Sequence, residues 1–180
     1  MKILCMKCFE VYRANLNQNY CPKEICSGEL AAVDEMILPI IVILNKKGYY
    51  TSHCCSGHLY GNLYEVDMRK GAEIYISFDD AASLPNVPIG WKILGSTDQQ
   101  NSLKGIQIRE TYDRRIKPSI LERQKQMFDA LNDLLEWAMM LRPLDEDEKK
   151  AIKEEIKERK KERSERLRAA RGMDPLADID

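Results

Sequence analysis

Four cysteines near the N-terminus define the chemistry open to this chain: Cys5-Met6-Lys7-Cys8 and, about a dozen residues on, Cys21-Pro22-Lys23-Glu24-Ile25-Cys26. Two close pairs of thiolates across a hairpin-sized spacer suit tetrahedral Zn2+, which takes soft sulfur ligands and usually four of them in a structural site. Each pair sits on a tight turn, so its sulfurs converge on one side; Pro22 marks the second turn and Gly28 closes it. The spacing therefore predicts an N-terminal zinc ribbon with Cys5, Cys8, Cys21 and Cys26 as metal ligands. The competing use of such cysteines, two disulfides, belongs to secreted chains. Here Met1-Lys2-Ile3-Leu4 runs straight into the first knuckle, which leaves no space for a signal sequence. The expectation is a cytoplasmic protein in a reducing compartment.

A second concentration of reactive side chains is His53-Cys54-Cys55-Ser56-Gly57-His58, which holds both histidines and both remaining cysteines. Read as a loop, it is the candidate ligand-binding site. A second metal, a Cys55 nucleophile with His58 as base, and an anion nest at Ser56-Gly57 are the chemistries open to it. Adjacent cysteines on a strand point to opposite sides and rarely share one ion, which weighs against the metal. No sequence feature supplies a group to orient the base. The plain alternative is a strand end with buried cysteines and exposed histidines.

The elements that would position these groups follow from length and periodicity. A chain of 180 residues allows one core domain with an appended module and a tail. The expected division is a ribbon over 1–30, an α+β core over 31–143 and a charged helical tail over 144–180. The ribbon holds too few apolar residues to bury a core, so zinc must supply its folding energy. Asp34-Glu35 reads as the acidic start of a helix running to Lys46-Lys47 and stopped by Gly48, with Pro39 either in its first turn or at a kink. Tyr49-Tyr50-Thr51-Ser52 reads as a short strand entering the loop.

Residues 72–78 alternate, with Ala72, Ile74, Ile76 and Phe78 on one face, the period of a half-buried strand closed by Asp79-Asp80. Trp91–Leu94 and Ile106–Arg109 are further strand candidates. Ser119 and Glu122 form a capping box for a helix carrying Ile120, Met127, Phe128, Leu131, Leu134, Leu135 and Ala138 on one stripe and ending near Arg142-Pro143. The pattern predicts a mainly antiparallel sheet packed by two helices. From Asp145 to Arg171 the chain is rich in Glu, Lys and Arg, and Asp145–Lys149, Glu155–Arg159 and Glu162–Arg166 stand at i,i+4. That composition reads as a solvated helix, with contact to nucleic acid or a partner as the alternative.

The net charge of −1 gives no global field favouring nucleic acid or a membrane surface. The longest apolar run, Met36 to Leu44, is broken by Pro39 and far below the roughly 20 residues that span a bilayer; no membrane partner is expected.

The order of a helix ending Leu44-Asn45-Lys46-Lys47-Gly48-Tyr49, then Thr51, then Cys54-Cys55-Ser56-Gly57-His58, then an apolar strand ending at Phe78 resembles the tRNA wybutosine-synthesis methyltransferase family over residues 36–140. That family carries Ser-Cys-Ser-Gly-Arg in the loop; here Cys54 stands for the serine and His58 for the arginine. The resemblance implies an S-adenosylmethionine-type ligand and an RNA substrate. Imidazole does not reproduce arginine's bidentate fork, so what carries over is the fold and a ligand loop rather than the reaction.

The favoured expectation is a zinc-binding accessory protein whose core binds a small anionic, nucleotide-like ligand at residues 53–58, with Tyr49, Tyr50, Tyr60 and Tyr64 as nearby stacking surfaces. The alternatives are an RNA-modifying, methyltransferase-like enzyme, or a nucleic-acid-binding protein that uses the ribbon and the basic tail.

Overall fold

The computed structural model describes residues 1–13, 18–56, 74–78, 84, 87–95, 106–110 and 120–170. Gly57, His58, Tyr60, Tyr64, Ala72, Asp79, Asp80, Ser119 and residues 171–180 lie outside them. The described elements are β1 (Lys2–Cys5), β2 (Val11–Tyr12), β3 (Leu30–Val33), α1 (Leu38–Lys47), β4 (Thr51–Cys55), β5 (Tyr75–Phe78), β6 (Trp91–Gly95), β7 (Ile106–Glu110), α2 (Ile120–Met140) and α3 (Glu146–Ala170). They form an α+β protein with two antiparallel sheets, ordered β2-β1-β3 and β4-β5-β7-β6.

β1 pairs with β3 from Lys2↔Val33 to Cys5↔Leu30. Its side chains alternate across the sheet, so Cys5 turns to the cysteine cluster while the neighbouring Leu4 enters the main core, both without exposed surface. Leu4 and Val33 share that core with α1, β5 and α2. In β5 the expected alternation holds: Ile74, Ile76 and Phe78 are buried, Tyr75 and Ser77 half-buried.

α1 begins later than its acidic prelude suggests. Glu35, Met36 and Ile37 form a turn, the helix starts at Leu38, and Pro39 occupies its first turn, where proline's missing N–H costs nothing. The Asp34 carbonyl accepts the Leu38 N–H at 3.0 Å. At the other end Gly48 takes φ 99°. The Gly48 N–H reaches Asn45 O at 3.1 Å and the Tyr49 N–H reaches Leu44 O at 3.0 Å, the paired bonds of a Schellman stop. Buried Asn45 ties this helix to β4: its Nδ2 donates to Ile41 O and to Thr51 Oγ1, both at 2.8 Å, and its Oδ1 accepts the Thr51 N–H at 3.2 Å.

α2 buries Met127, Ala130, Leu131, Leu134, Trp137 and Ala138 at three- and four-residue spacing, and Leu141 just beyond it is buried as well. Phe128, expected on this stripe, lies one position off its centre and is 52% exposed. Lys47 Nζ donates to the carbonyls of Ala138, Met139 and Leu141 at 3.0, 2.6 and 2.6 Å, which satisfies the end of α2 with a cation where the helix dipole favours one.

α3 opens with a capping box. Asp145 Oδ1 accepts the Glu148 N–H at 2.8 Å and Glu148 Oε2 accepts the Asp145 N–H at 2.9 Å. Asp145 is thus a cap rather than the i,i+4 partner of Lys149, whose ammonium pairs with Glu146 at 2.8 Å. Glu155 and Arg159 do pair as expected. The first turns dock: Ile152 packs on the core, Leu144 is buried, and Lys153 lies 5.4 Å from the centre of the Tyr50 ring. Beyond Arg159 every described side chain of α3 is exposed.

Candidate metal centre

Two backbone turns aim the four sulfurs. In the first, Met6–Cys8 turn back so that the Phe9 N–H meets Cys5 O at 2.9 Å, with Phe9 at φ 57°. In the second, the Cys26 N–H bonds Lys23 O at 2.9 Å. The Cys5 N–H to Glu10 O bond closes the first turn and the Met6 N–H to Glu29 O bond ties it to the second, both at 2.9 Å. A Lys23–Glu10 ion pair at 2.9 Å links them at the surface.

The ligand atoms of Cys5, Cys8, Cys21 and Cys26 all lie within 4.8 Å of one another. Cys5 Sγ is 3.7 Å from Cys26 Sγ, and Cys8 Sγ is 3.8 Å from Cys21 Sγ. A disulfide needs about 2.05 Å. A tetrahedron of sulfurs around zinc at Zn–S about 2.3 Å has S···S edges of about 3.8 Å. The spacing fits zinc and excludes cystine, and the four cysteines are free.

The surroundings suit thiolates. The Lys7 and Cys8 N–H groups both point at Cys5 Sγ at 3.5 Å, and the Tyr12 hydroxyl donates to Cys21 Sγ at 3.2 Å. Burial opposes charge on Cys21, but the Tyr12 hydroxyl, the Lys23 N–H and the neighbouring thiols outweigh it and bring its pKa down to about 6. Burial pushes Cys8 up to about 12, so a metal binding there must displace its proton. The same Tyr12–Cys21 bond raises the tyrosine.

Two of these residues were not legible as part of the site. Tyr12 has no motif position and arrives only because β2 pairs Tyr12 with Ile3. Gly28 was read as closing a turn, yet its role is space: a Cβ there would stand 2.5 Å from Lys7 Cβ and 2.6 Å from Cys5 Sγ.

The second constellation is arranged otherwise than expected. His53, Cys54 and Cys55 are not in a loop; they complete strand β4, paired with Ser77, Ile76 and Tyr75. Tyr49-Tyr50, read as the strand's start, instead carries the chain out of α1. The physical reason is that the Schellman stop uses the Tyr49 N–H, while β5 offers ladder partners only from Thr51 onward. His53 is exposed and Cys54 half-buried against the core. Burial, with Asp34 and Cys55 nearby, raises the Cys54 thiol to about 11, so it is not a thiolate nucleophile at neutral pH. Buried Ser56 donates its hydroxyl to Asp34 Oδ2 at 3.1 Å. Among the described residues the four N-terminal cysteines are the one cluster of metal-ligating type.

Compared with protein-family models, curated proteins and solved structures, the chain matches none. The resemblance to the wybutosine-synthesis methyltransferases thus rests on the sequence around one short motif, of which Cys54 and Cys55 lie in a strand. No described helix is long and apolar enough to cross a membrane.

Proposed function

We propose that this is a zinc-binding protein in which Cys5, Cys8, Cys21 and Cys26 hold one structural Zn2+, and that its α+β core serves binding rather than catalysis. The observation that carries the metal assignment is the S···S spacing of 3.7 and 3.8 Å within a four-thiol cluster, the edge length a zinc tetrahedron requires. A closed S4 set leaves no open position for substrate, which makes the metal's role structural. It supplies cross-linking between two turns that otherwise share few apolar contacts.

The narrower reading, a small anionic ligand at His53, Cys54, Cys55, Ser56, Gly57 and His58, is supported by the exposed His53 and by the donor-rich composition of that segment. Asp34 stands against it, because its carboxylate beside Ser56 places negative charge where an anion would sit.

The test is metal content and stability of the purified full chain. One equivalent of zinc is expected, with intense tetrahedral cobalt–thiolate absorption after Co2+ exchange. Loss of the metal and a lower melting temperature are expected for Cys5→Ser/Cys26→Ser. Metal-free protein from zinc-replete cells, with a melting curve indifferent to chelator, would overturn the assignment. Native mass spectrometry of the same sample tests the ligand reading: a co-purified nucleotide-like mass lost on His58→Ala supports it, and its absence removes it.

A further inference from the structure

α3 carries a feature that a zinc ribbon and a packed core do not require. At about 100° per residue, Lys150, Lys153, Lys157, Lys160, Lys161 and Arg168 fall in one sector of the helix about 100° wide, with Ser164 between them. All six cations are exposed. Glu154, Glu158, Glu162 and Glu165 fill the adjacent sector, and the half-buried Ile152, Ile156 and Arg159 mark the side turned towards the protein. Between Lys150 and Arg168 the charges of these two sectors are sorted rather than mixed, while Arg163 and Arg166 lie outside the row. Solubility alone is served equally well by interspersed signs.

Lys153 lies over Tyr50, and Lys161 sits 4.0 Å from Glu165; Lys150, Lys157, Lys160 and Arg168 have no ion pair among the described residues. From Lys150 to Arg168 the row runs about 27 Å along the helix.

We propose that this basic row is a contact surface for the phosphodiester backbone of a nucleic acid. The sector's composition selects that partner. An in-plane membrane helix needs an apolar face towards the lipid, but α3 has few apolar side chains, and of these Ile152 packs on the core and Ile156 is half-buried. A protein partner is gripped by aromatic or aliphatic anchors, and lysine is depleted at such interfaces; between Lys150 and Arg168 this sector has cations and one serine only, the acidic Glu146 lying ahead of the row. A line of lysines and an arginine suits a line of phosphates, where each contact releases a counterion. The adjoining glutamates would be repelled by the second wall of a groove, so the helix lies along a backbone rather than inside a groove. Such binding positions without reading bases.

The experiment uses the full-length, zinc-loaded chain and fluorescence anisotropy on labelled 20-base-pair DNA, the matching RNA duplex and the corresponding single strands, titrated across salt. With five cations engaged, Lys153 staying over Tyr50, the slope of log K against log salt is expected near about −4.5 on a duplex, or about 500-fold weaker binding at 200 than at 50 mM. Lys157→Gln/Lys160→Gln/Lys161→Gln should weaken binding about tenfold or more and reduce the slope by about 2.7. Lys2→Gln/Lys46→Gln/Lys125→Gln removes the same charge elsewhere and should leave the slope unchanged. Circular dichroism and zinc content check that both variants fold. Ranking the four probes distinguishes DNA from RNA. Equal losses in both variants, no binding at 50 mM salt, or binding to anionic vesicles in place of nucleic acid would each overturn the proposal.

Discussion

Gly28→Ala tests the metal centre through an atom that touches no metal. A Cβ at position 28 would lie 2.5 Å from Lys7 Cβ, 2.6 Å from Cys5 Sγ and 3.2 Å from the Lys7 nitrogen. Carbon atoms prefer about 3.5–4.0 Å, so the methyl group is roughly 1 Å too close to two atoms at once. Neither neighbour is the free end of a flexible side chain. Lys7 Cβ moves only with its backbone, and Cys5 Sγ is held among the other sulfurs. A metal ligand tolerates displacements of only about 0.2 Å, so the two knuckles must separate and the strain falls on the site. Overpacking of this kind costs about 1–3 kcal/mol, which corresponds to zinc binding about 5- to 150-fold weaker. Chelator competition measures the affinity, and the melting temperature of the zinc form should fall with it. The sign is diagnostic. Only Gly48 and Gly90 are described glycines with positive φ, so Gly28 does not need glycine's backbone freedom. Were its role only to close a turn, alanine would be neutral or would stabilise by about 0.4–1 kcal/mol through the unfolded chain. Unchanged zinc affinity with an equal or higher melting temperature would refute the close-approach argument.

Asn45→Ala removes two hydrogen bonds between α1 and β4 and one to Ile41 O within α1, and leaves the buried Thr51 N–H unpaired. A loss of about 2–4 kcal/mol is expected, read as a lower urea midpoint at constant m-value, and an unshifted midpoint would mean that the network contributes nothing. Glu148 should make the protein acid-sensitive: the Arg142 guanidinium first, and then the Asp145 N–H, lower its carboxyl to about 2. Because the folded pKa is the lower one, this contribution is present above the ordinary carboxylate value of 4.5 and fades as pH falls towards 2. Glu148→Gln should therefore flatten the acid side of the stability–pH curve, and parallel curves for variant and parent would contradict the assignment.

What was legible in the sequence is what short-range geometry dictates. Two cysteines in a tight turn have few directions for their sulfurs, so Cys5, Cys8, Cys21 and Cys26 could be grouped from spacing alone. Gly48 after Lys46-Lys47 fixed the end of α1 for a similar reason, and the alternation of Ile74, Ile76 and Phe78 holds because a strand has only two faces. The misreadings depend on partners distant in the chain. The position of Cys54 and Cys55 within β4 follows from where β5 offers hydrogen bonds, and nothing local to residues 49–58 encodes that. Phe128, expected on the stripe, is exposed and Trp137, not counted on it, is buried, because α2's orientation is set by α1 and the sheet. Asp34 was read as a helix start because acids suit that place. Pro39 moved the start to Leu38, and Asp34's carboxylate takes the Ser56 hydroxyl instead.

The cysteine cluster and the core are joined through two strands, β1 and β3. On β1, Cys5 faces the sulfur cluster and Leu4 faces the main core, and neither has exposed surface. β3 does the same from the opposite side: Leu30 packs on the cysteine cluster and Val33 lies in the core with Ile37 and α1. A strand can serve two interiors in this way only if both of its faces are covered. The energy that fixes Cys5 therefore also fixes the register that delivers Leu4. Structural zinc contributes about 10–16 kcal/mol of apparent binding energy in small domains, against about 5–15 kcal/mol for the whole stability of an ordinary protein. With zinc bound as proposed, its release should free the two knuckles first. Because Leu4 and Val33 would then lose the constraint on their strands, the loss is expected to propagate to the packing of α1 rather than stop at residue 30.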